Sequence, residues 1–94
     1  MKRLDLVMNE RELSKVCEVI DRAGAPGYSV MRHVTGRGPH GEMVSESMEF
    51  SGFGANAHVI VFCEAEVLER IGVELRPLLS YYGGVAFVSE AEPL

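Results

Sequence analysis

The chain has 94 residues, enough for one domain but too few to enclose an active site deep inside a single subunit. Its formal net charge is −5 and no basic stripe is present, which argues against a nucleic-acid-binding protein. Its longest apolar run, from Val59 to Cys63, is far too short to span a membrane. Because the N-terminal residues also lack the apolar core of a signal peptide, we expect a cytoplasmic protein.

The first elements predicted are a strand and a helix. Leu4, Leu6 and Met8 alternate with residues of the opposite face, which is the period of a half-buried strand. Asn9, with Glu12 three residues later, predicts a capping box and the start of a helix. A glycine and a proline after residue 23 predict its end. The apolar stripe of this helix consists of Leu13, Val16, Cys17, Ile20 and Ala23.

The central part of the chain predicts two strands separated by an unusually long polar segment. The strands lie near Tyr28–Val34 and His58–Cys63, and the segment between them runs from about residue 36 to 57. A hairpin needs only about 2 to 5 residues, so a loop of this length is either functional or disordered. Its glycines would let backbone N–H groups face a bound anion, and Arg37 adds a planar cationic donor. These features favour a phosphate or carboxylate site.

The last elements predicted are a second helix and a fourth strand. Pro77 is expected to bend or shorten this helix, and Gly83-Gly84 to end it before a strand at Val85–Val88. Its apolar positions are Leu68, Ile71, Leu75, Leu78 and Tyr82. The charged residues predicted to form the solvent faces of the helices are Glu10, Arg11, Glu12, Glu69, Arg70 and Glu74.

The element order βαββαβ predicts a ferredoxin-like α+β sandwich, with a four-stranded antiparallel sheet carrying both helices on one face. The third and fourth strands are apolar in both registers, so the other face of the sheet would expose an apolar patch. We therefore expect a homo-oligomer.

A family resemblance follows from the order of the motifs. Gly27-Tyr28-Ser29-Val30, then Val34-Thr35-Gly36-Arg37-Gly38, a long loop and the run from His58 to Glu66 resemble the PII signalling proteins. The Gly-Arg-Gly-Pro-His-Gly spelling is most similar to the PII-like branch linked to inorganic-carbon uptake and carboxysomes. The resemblance implies one PII-like domain over residues 1–94, with a T-loop at about 36–57. It also implies a homotrimer that binds adenine nucleotides in clefts between subunits.

The loop departs from the nitrogen-regulatory branch of the family. Residues 36–57 contain Phe50 and Phe53 but no tyrosine, so the uridylylation site of that branch is missing. Pro39-His40 follows Gly38 where the family has a glutamine that helps to hold magnesium and 2-oxoglutarate. We therefore expect a different small effector, and the carbon branch points to bicarbonate.

The C-terminal part lacks several residues that bind the nucleotide phosphates in the family. The glycine-rich B-loop is reduced to Tyr82-Gly83-Gly84, and Val85 takes the place of the lysine that would follow. The C-terminal arginines that hold a triphosphate, and the redox cysteine loop of some carbon-branch relatives, have no counterpart. These departures favour ADP or AMP over ATP.

Position matching to the family predicts the site residues. The nucleotide-binding residues implied are Val7, Ser29, Thr35, Gly36, Arg37, Gly38, Phe62, Gly83 and Gly84. The residues implied for bicarbonate are Gly38, His40 and Gly41. The partner implied for the loop is a bicarbonate transporter or a carboxysome protein.

No catalytic or metal-binding pattern stands out, and two alternatives to the PII-like function stay open. His33, His40 and His58 do not share the spacing of metal ligands, and no base is placed to activate a nucleophile. Cys17 and Cys63 fall within apolar patterns and predict reduced core thiols. The alternatives are a small ferredoxin-like oligomeric enzyme and an adaptor that binds protein without nucleotide.

Overall fold

The computed structural model describes residues 1–35 and 55–94 and, between them, the backbone of a short hairpin at residues 37–38 and 41–42. Its strands are β1 (Lys2–Asn9), β2 (Ser29–Val34), β3 (Arg37–Gly38), β4 (Gly41–Glu42), β5 (Asn56–Cys63) and β6 (Val85–Glu90). Its helices are α1 (Leu13–Arg22) and α2 (Ala65–Tyr82). The predicted order βαββαβ is confirmed, with β3 and β4 inserted between the second and third long strands.

The four long strands form one antiparallel sheet in the order β2-β5-β1-β6. The two longest strands, β1 and β5, lie at its centre, and their register places Leu6 opposite Val59. β2 and β6 are the edges. This topology is that of the predicted ferredoxin-like sandwich, since each helix connects two strands that are separated by one other strand.

The core lies between the sheet and the two helices. Alternate residues of the central strands point into it, and Leu6, Val59 and Ile20 are among its fully buried side chains. Burial of one such side chain contributes roughly 1.5–3 kcal/mol. The members of this core are Leu4, Leu6, Met8, Val16, Val19, Ile20, Ala23, Val59, Val61, Cys63, Ile71 and Leu75. The strand alternation and most of the helical stripe predicted from the sequence are therefore confirmed.

The start of α1 differs from the prediction. The Asn9 side chain accepts a hydrogen bond from the backbone N–H of Arg11 at 2.9 Å, and so caps a 3-10 turn at Glu10–Glu12. The α-helix begins only at Leu13. The predicted cap at Asn9 is therefore confirmed, but the reciprocal half of the capping box was wrong, because the Glu12 carboxylate bonds Lys15 at 2.7 Å.

α2 continues through Pro77 to Tyr82, so the proline does not shorten the helix. Pro77 lies on the exposed side of the helix, as does Val73 one turn earlier. Water can therefore satisfy the carbonyl that the proline leaves without a donor. The helix ends at Gly83, whose φ of 84° is one that glycine adopts readily, and whose N–H donates to the Leu79 carbonyl at 2.9 Å.

β5 begins before the predicted start at His58. Asn56 and Ala57 already belong to the strand, so the predicted end of the long loop at residue 57 was too late. Asn56 pairs with Asn9 on one side and with Val34 on the other, and Ala57 is fully buried. Pairing on both sides overrides the weak local strand signal of these two residues.

Among the helices that the structure describes, none is long and apolar enough to cross a membrane.

A stability prediction concerns Gly84, which has a φ of 114° and lies against β1. A Cβ at this position would lie 2.9 Å from the Val7 carbonyl oxygen and 3.0 Å from the Met8 Cβ. We expect Gly84→Ala to lower the free energy of unfolding by roughly 1–3 kcal/mol, measured by urea denaturation. Gly27→Ala is the matched control, because a Cβ there has no neighbour within 4 Å. Equal stability of the two variants would contradict the close approach of Gly84 to β1.

Candidate functional site

The face of the sheet opposite the helices carries large apolar side chains. The alternation that buries Leu4 and Leu6 turns their neighbours to this open face. Phe87 on β6 is 69% exposed, and Phe62 on β5 is 44% exposed. The other residues of the open face include Met31, Ile60 and Val85, together with Val7 at the end of β1. A soluble domain rarely leaves such a surface uncovered.

A polar cluster lies in the middle of this apolar face. Both carboxylate oxygens of Asp5 accept hydrogen bonds from the Arg3 guanidinium at 2.9 Å, and one also accepts from His58 Nε2 at 2.9 Å. The Arg3 guanidinium also lies 5.6 Å from the centre of the Phe62 ring. The hydrogen bonds from Arg3 and then His58 lower the pKa of Asp5 to about 2. Asp5 is therefore ionised at neutral pH and orients Arg3 along the Phe62 ring.

Three of the predicted nucleotide-binding residues meet at the end of the sheet where β6 begins. The approach of Gly84 to the Val7 carbonyl joins the turn after α2 to β1, and Gly83 precedes it in the same turn. Val7 is also paired with Val85 across β1 and β6. The turn therefore places two glycines beside Val7 of β1.

Two further predicted nucleotide-binding residues, Ser29 and Phe62, lie together in a different part of the surface. Ser29 and Phe62 line an open surface pocket of about 390 Å³, whose remaining lining residues are Met1, Pro26, Gly27, Tyr28 and Ile60. Val7 pairs with His58, four positions from Phe62 along β5, which corresponds to roughly 13 Å. Within one chain, therefore, Val7 and Phe62 do not line the same pocket.

Thr35 lies at a third place. It follows β2, at one edge of the sheet, whereas Gly83 and Gly84 precede β6 at the other edge. Three strand spacings separate these edges, roughly 14 Å. Gly36 and His40 lie outside the described residues, and of Arg37, Gly38 and Gly41 only the backbone pairing in the β3–β4 hairpin is described. The bicarbonate site predicted at Gly38, His40 and Gly41 stays a prediction.

The cysteines differ in their surroundings. Cys63 is fully buried, as predicted, and burial raises the pKa of its thiol. Cys17 is only half-buried and lies beside Tyr28. A hydrogen bond between the two side chains raises the pKa of Tyr28 to about 12. Cys17 therefore lies beside Tyr28 and outside the buried core cluster, so its prediction as a core thiol was wrong.

Two charged residues predicted to face solvent, Glu10 and Glu12, were misjudged from the sequence, and the Glu12 side chain is only 14% exposed. Glu10 was predicted to lie on a solvent face, but its side chain is only 12% exposed. Its carboxylate accepts hydrogen bonds from Arg32 Nε at 2.7 Å and from the His33 backbone N–H at 3.1 Å. Burial raises the pKa of Glu10, but these bonds and the nearby charges outweigh it and leave the pKa below its ordinary value. Local periodicity does not predict the role of Glu10, because its partners Arg32 and His33 belong to β2, far away in the sequence.

Within residues 1–35 and 55–94, no group of three or more histidine, cysteine or acidic side chains is placed to hold a metal ion. The histidines described there have carboxylate partners instead: His58 contacts Asp5, and His33 contacts Glu10.

Comparisons with solved structures support the observed architecture. CPII from Thiomonas intermedia K12, a nitrogen regulatory PII-like protein bound to ADP, AMP and bicarbonate, is 24% identical with a TM-score of 0.83, covering 94% of this chain and 82% of CPII. A structure of CPII bound to ADP and bicarbonate has the same identity and coverage and a TM-score of 0.79. A protein from Thermus thermophilus described as PII-like is 24% identical with a TM-score of 0.75, covering 94% of this chain and 83% of its own. At these identities the likeness shows a common fold.

Comparison with protein families identifies the chain more directly. No curated protein matches the sequence at a significant level. The family model for nitrogen regulatory protein P-II, however, matches residues 1–94, which is the full length given. The protein therefore belongs to the P-II family of nitrogen regulatory proteins.

Proposed function

We propose that this P-II family protein is a regulator that binds ADP or AMP in clefts between the subunits of a homotrimer. Bicarbonate binds beside the nucleotide phosphates, and the protein signals in inorganic-carbon metabolism. The observation that carries the proposal is that two parts of the predicted nucleotide site, Thr35 and the Gly83-Gly84 turn, lie at opposite edges of one sheet.

The separation of these residues favours a site shared by two chains. Thr35, at the β2 edge of the sheet, lies three strand spacings, roughly 14 Å, from Gly83 and Gly84 of the same chain. If the β6 edge of a neighbouring subunit lies alongside β2, the glycine turn of that subunit comes close to Thr35. Each cleft then combines the segment after β2 of one subunit with the glycine turn of the next.

The open sheet face provides the reason for assembly. Phe62, Phe87 and Val85 lose contact with water if the open faces of three subunits pack around a common axis. The Asp5 carboxylate can enter such an interface because Arg3 and His58 already satisfy it.

The similarity to CPII supports the choice of ligands. That protein was solved with ADP, AMP and bicarbonate, and it shares the fold over 94% of this chain. The replacement of the magnesium-holding glutamine by Pro39-His40 also favours a small monoanion over a dicarboxylate carried on a metal.

Regulation follows if the ligands change the surface formed by the segment between β2 and β5. A partner selective for one state of that surface would convert ligand concentration into a signal. A bicarbonate transporter or a carboxysome protein fits this role in inorganic-carbon metabolism. Because no step of the proposal breaks a covalent bond, the protein acts here as a sensor and not as an enzyme.

The first prediction for this function concerns assembly. In sedimentation equilibrium at micromolar concentration, we expect a species of three times the 10.3 kDa chain mass. Phe87→Asp should shift it toward monomer, because a carboxylate would be buried in the interface. Val73→Asp is the matched control, since Val73 is 70% exposed but lies on α2, away from the open face. A wild-type monomer, or equal effects of the two variants, would refute the proposed interface.

The second prediction concerns the nucleotide. ADP or AMP at 100 times its dissociation constant should stabilise the native protein by about 2.7 kcal/mol per site, seen as a higher melting temperature, and guanosine nucleotides should do much less. Arg37→Ala should weaken binding by roughly 1.5–3 kcal/mol through loss of a charged hydrogen bond, and Arg37→Lys should recover only part of it.

The control for Arg37 is Arg76→Ala, which removes an exposed arginine from α2. Wild-type affinity in Arg37→Ala would show that Arg37 is ordinary surface. If no adenine nucleotide changes the melting temperature at millimolar concentration, the adaptor or the small enzyme becomes the better interpretation.

The third prediction concerns bicarbonate. Bicarbonate should tighten ADP or AMP binding, and the nucleotide should tighten bicarbonate binding by the same factor, because the coupling of two ligands is reciprocal. Calorimetric titrations at fixed pH and ionic strength measure both factors. Nucleotide affinity that ignores bicarbonate, or that responds to 2-oxoglutarate with magnesium, would argue against the carbon-linked function.

A further inference from the structure

Glu10 joins the two points where the described chain enters and leaves the segment between β2 and β5. On the entering side, its carboxylate accepts hydrogen bonds from Arg32 Nε at 2.7 Å and from the His33 N–H at 3.1 Å. On the leaving side, its own backbone N–H donates to the Ala55 carbonyl at 2.9 Å. One residue of the turn after β1 therefore holds both β2 and the start of β5.

The backbone that Glu10 holds is strained. His33 has a φ of 59°, and among the described residues it is the only one other than glycine with a positive φ. L-amino acids rarely adopt this conformation, because Cβ approaches the backbone carbonyl. The pairing of β2 with β5 shifts register between Met31 and Val34, so this strain accompanies a β-bulge at the end of β2. Such a conformation persists only where neighbouring contacts maintain it.

The contacts of Glu10 are suited to maintain it. The Glu10 side chain is 12% exposed, whereas the side chains of Arg32 and His33 are 61% and 71% exposed. The acceptor is thus shielded from water, and its bonds to the guanidinium and the backbone N–H are charge-assisted. His33 Nδ1 lies 3.4 Å from the same carboxylate, so the side chain and the main chain of this residue both face Glu10.

We propose that Glu10 is a positioning residue that fixes the direction in which the chain leaves β2 at Thr35 and re-enters at Ala55, and that it thereby sets the affinity of the adjoining nucleotide site. The second half of this proposal rests on the proposed function. Glu10 need not touch the nucleotide, because it acts through the bulge at His33.

The experiment compares Glu10→Gln with Glu12→Gln in the full chain. Both changes remove one carboxylate from the same 3-10 turn, and the two side chains are similarly exposed, 12% and 14%. Glu12 has Lys15 of α1 as its ion-pair partner rather than a residue of β2. Any effect confined to Glu10→Gln therefore reports on the contact with β2 rather than on charge or on the turn.

The first readout is hydrogen exchange of the His33 amide. We expect it to be about tenfold faster or more in Glu10→Gln, because the amide loses a bond to a charged acceptor, and unchanged in Glu12→Gln. Unchanged exchange in Glu10→Gln overturns the proposal. This readout needs no nucleotide, so it remains decisive even if the proposed function fails.

The second readout is the ADP dissociation constant by calorimetry. We expect it to rise about tenfold in Glu10→Gln and to stay within twofold of wild type in Glu12→Gln. Faster exchange at His33 with an unchanged ADP dissociation constant would overturn the role of Glu10 at the site. A wild-type protein that binds neither ADP nor AMP would instead refute the proposed function. The exchange result alone would then decide whether Glu10 holds the backbone at His33.

A rescue variant separates positioning from general stability. Glycine adopts a positive φ without strain, so His33→Gly should make the bulge independent of Glu10. The double variant Glu10→Gln/His33→Gly should recover most of the ADP affinity that Glu10→Gln loses. No recovery, in a double variant whose melting temperature equals that of the wild type, would contradict an action through the His33 backbone.

Discussion

In the part of the chain that the structure describes, both helices pack on one face of the four-stranded sheet, and the other face exposes large apolar side chains. The two helices described, α1 and α2, both bury their apolar residues on the face of Leu6 and Val59. The large side chains on the open face, such as Phe62 and Phe87, form the surface that the proposed neighbouring subunits would cover. The proposed assembly and the proposed clefts between subunits both follow from this one-sided packing.

The same sheet is the basis for the proposed site between subunits. Its two edges carry different chemistry: the segment after β2 contributes Thr35 and the glycines and arginine that follow, and the turn before β6 contributes Gly83 and Gly84. Neither edge surrounds a nucleotide alone. In the proposed assembly, contact between the β2 edge of one subunit and the β6 edge of another would bring these groups together.

The turn between β1 and α1 adds a connection that neither edge supplies. Glu10 bonds the end of β2 through its carboxylate and the start of β5 through its backbone N–H. The strained φ of His33 is located where these bonds converge. The turn after β1 is therefore bonded to both described ends of the segment between β2 and β5, which is the basis for the positioning role proposed for Glu10.

Local patterns in the sequence determined the elements and their order. The alternation of Leu4, Leu6 and Met8, the helical stripes and the Gly83-Gly84 turn each lie within one element, where periodicity and φ preference act directly. Tertiary structure decided what depends on distant residues. Glu10 meets Arg32 and His33 from 22 and 23 positions away, and Asp5 meets His58 from 53. Periodicity classes such a residue as a solvated charge, because it records only which face of its own element the residue occupies. Strand order and register determine which partners Glu10 and Asp5 meet, and these exist only once the sheet has formed. The burial of Glu10 and the lowered pKa of Asp5 depend on those partners.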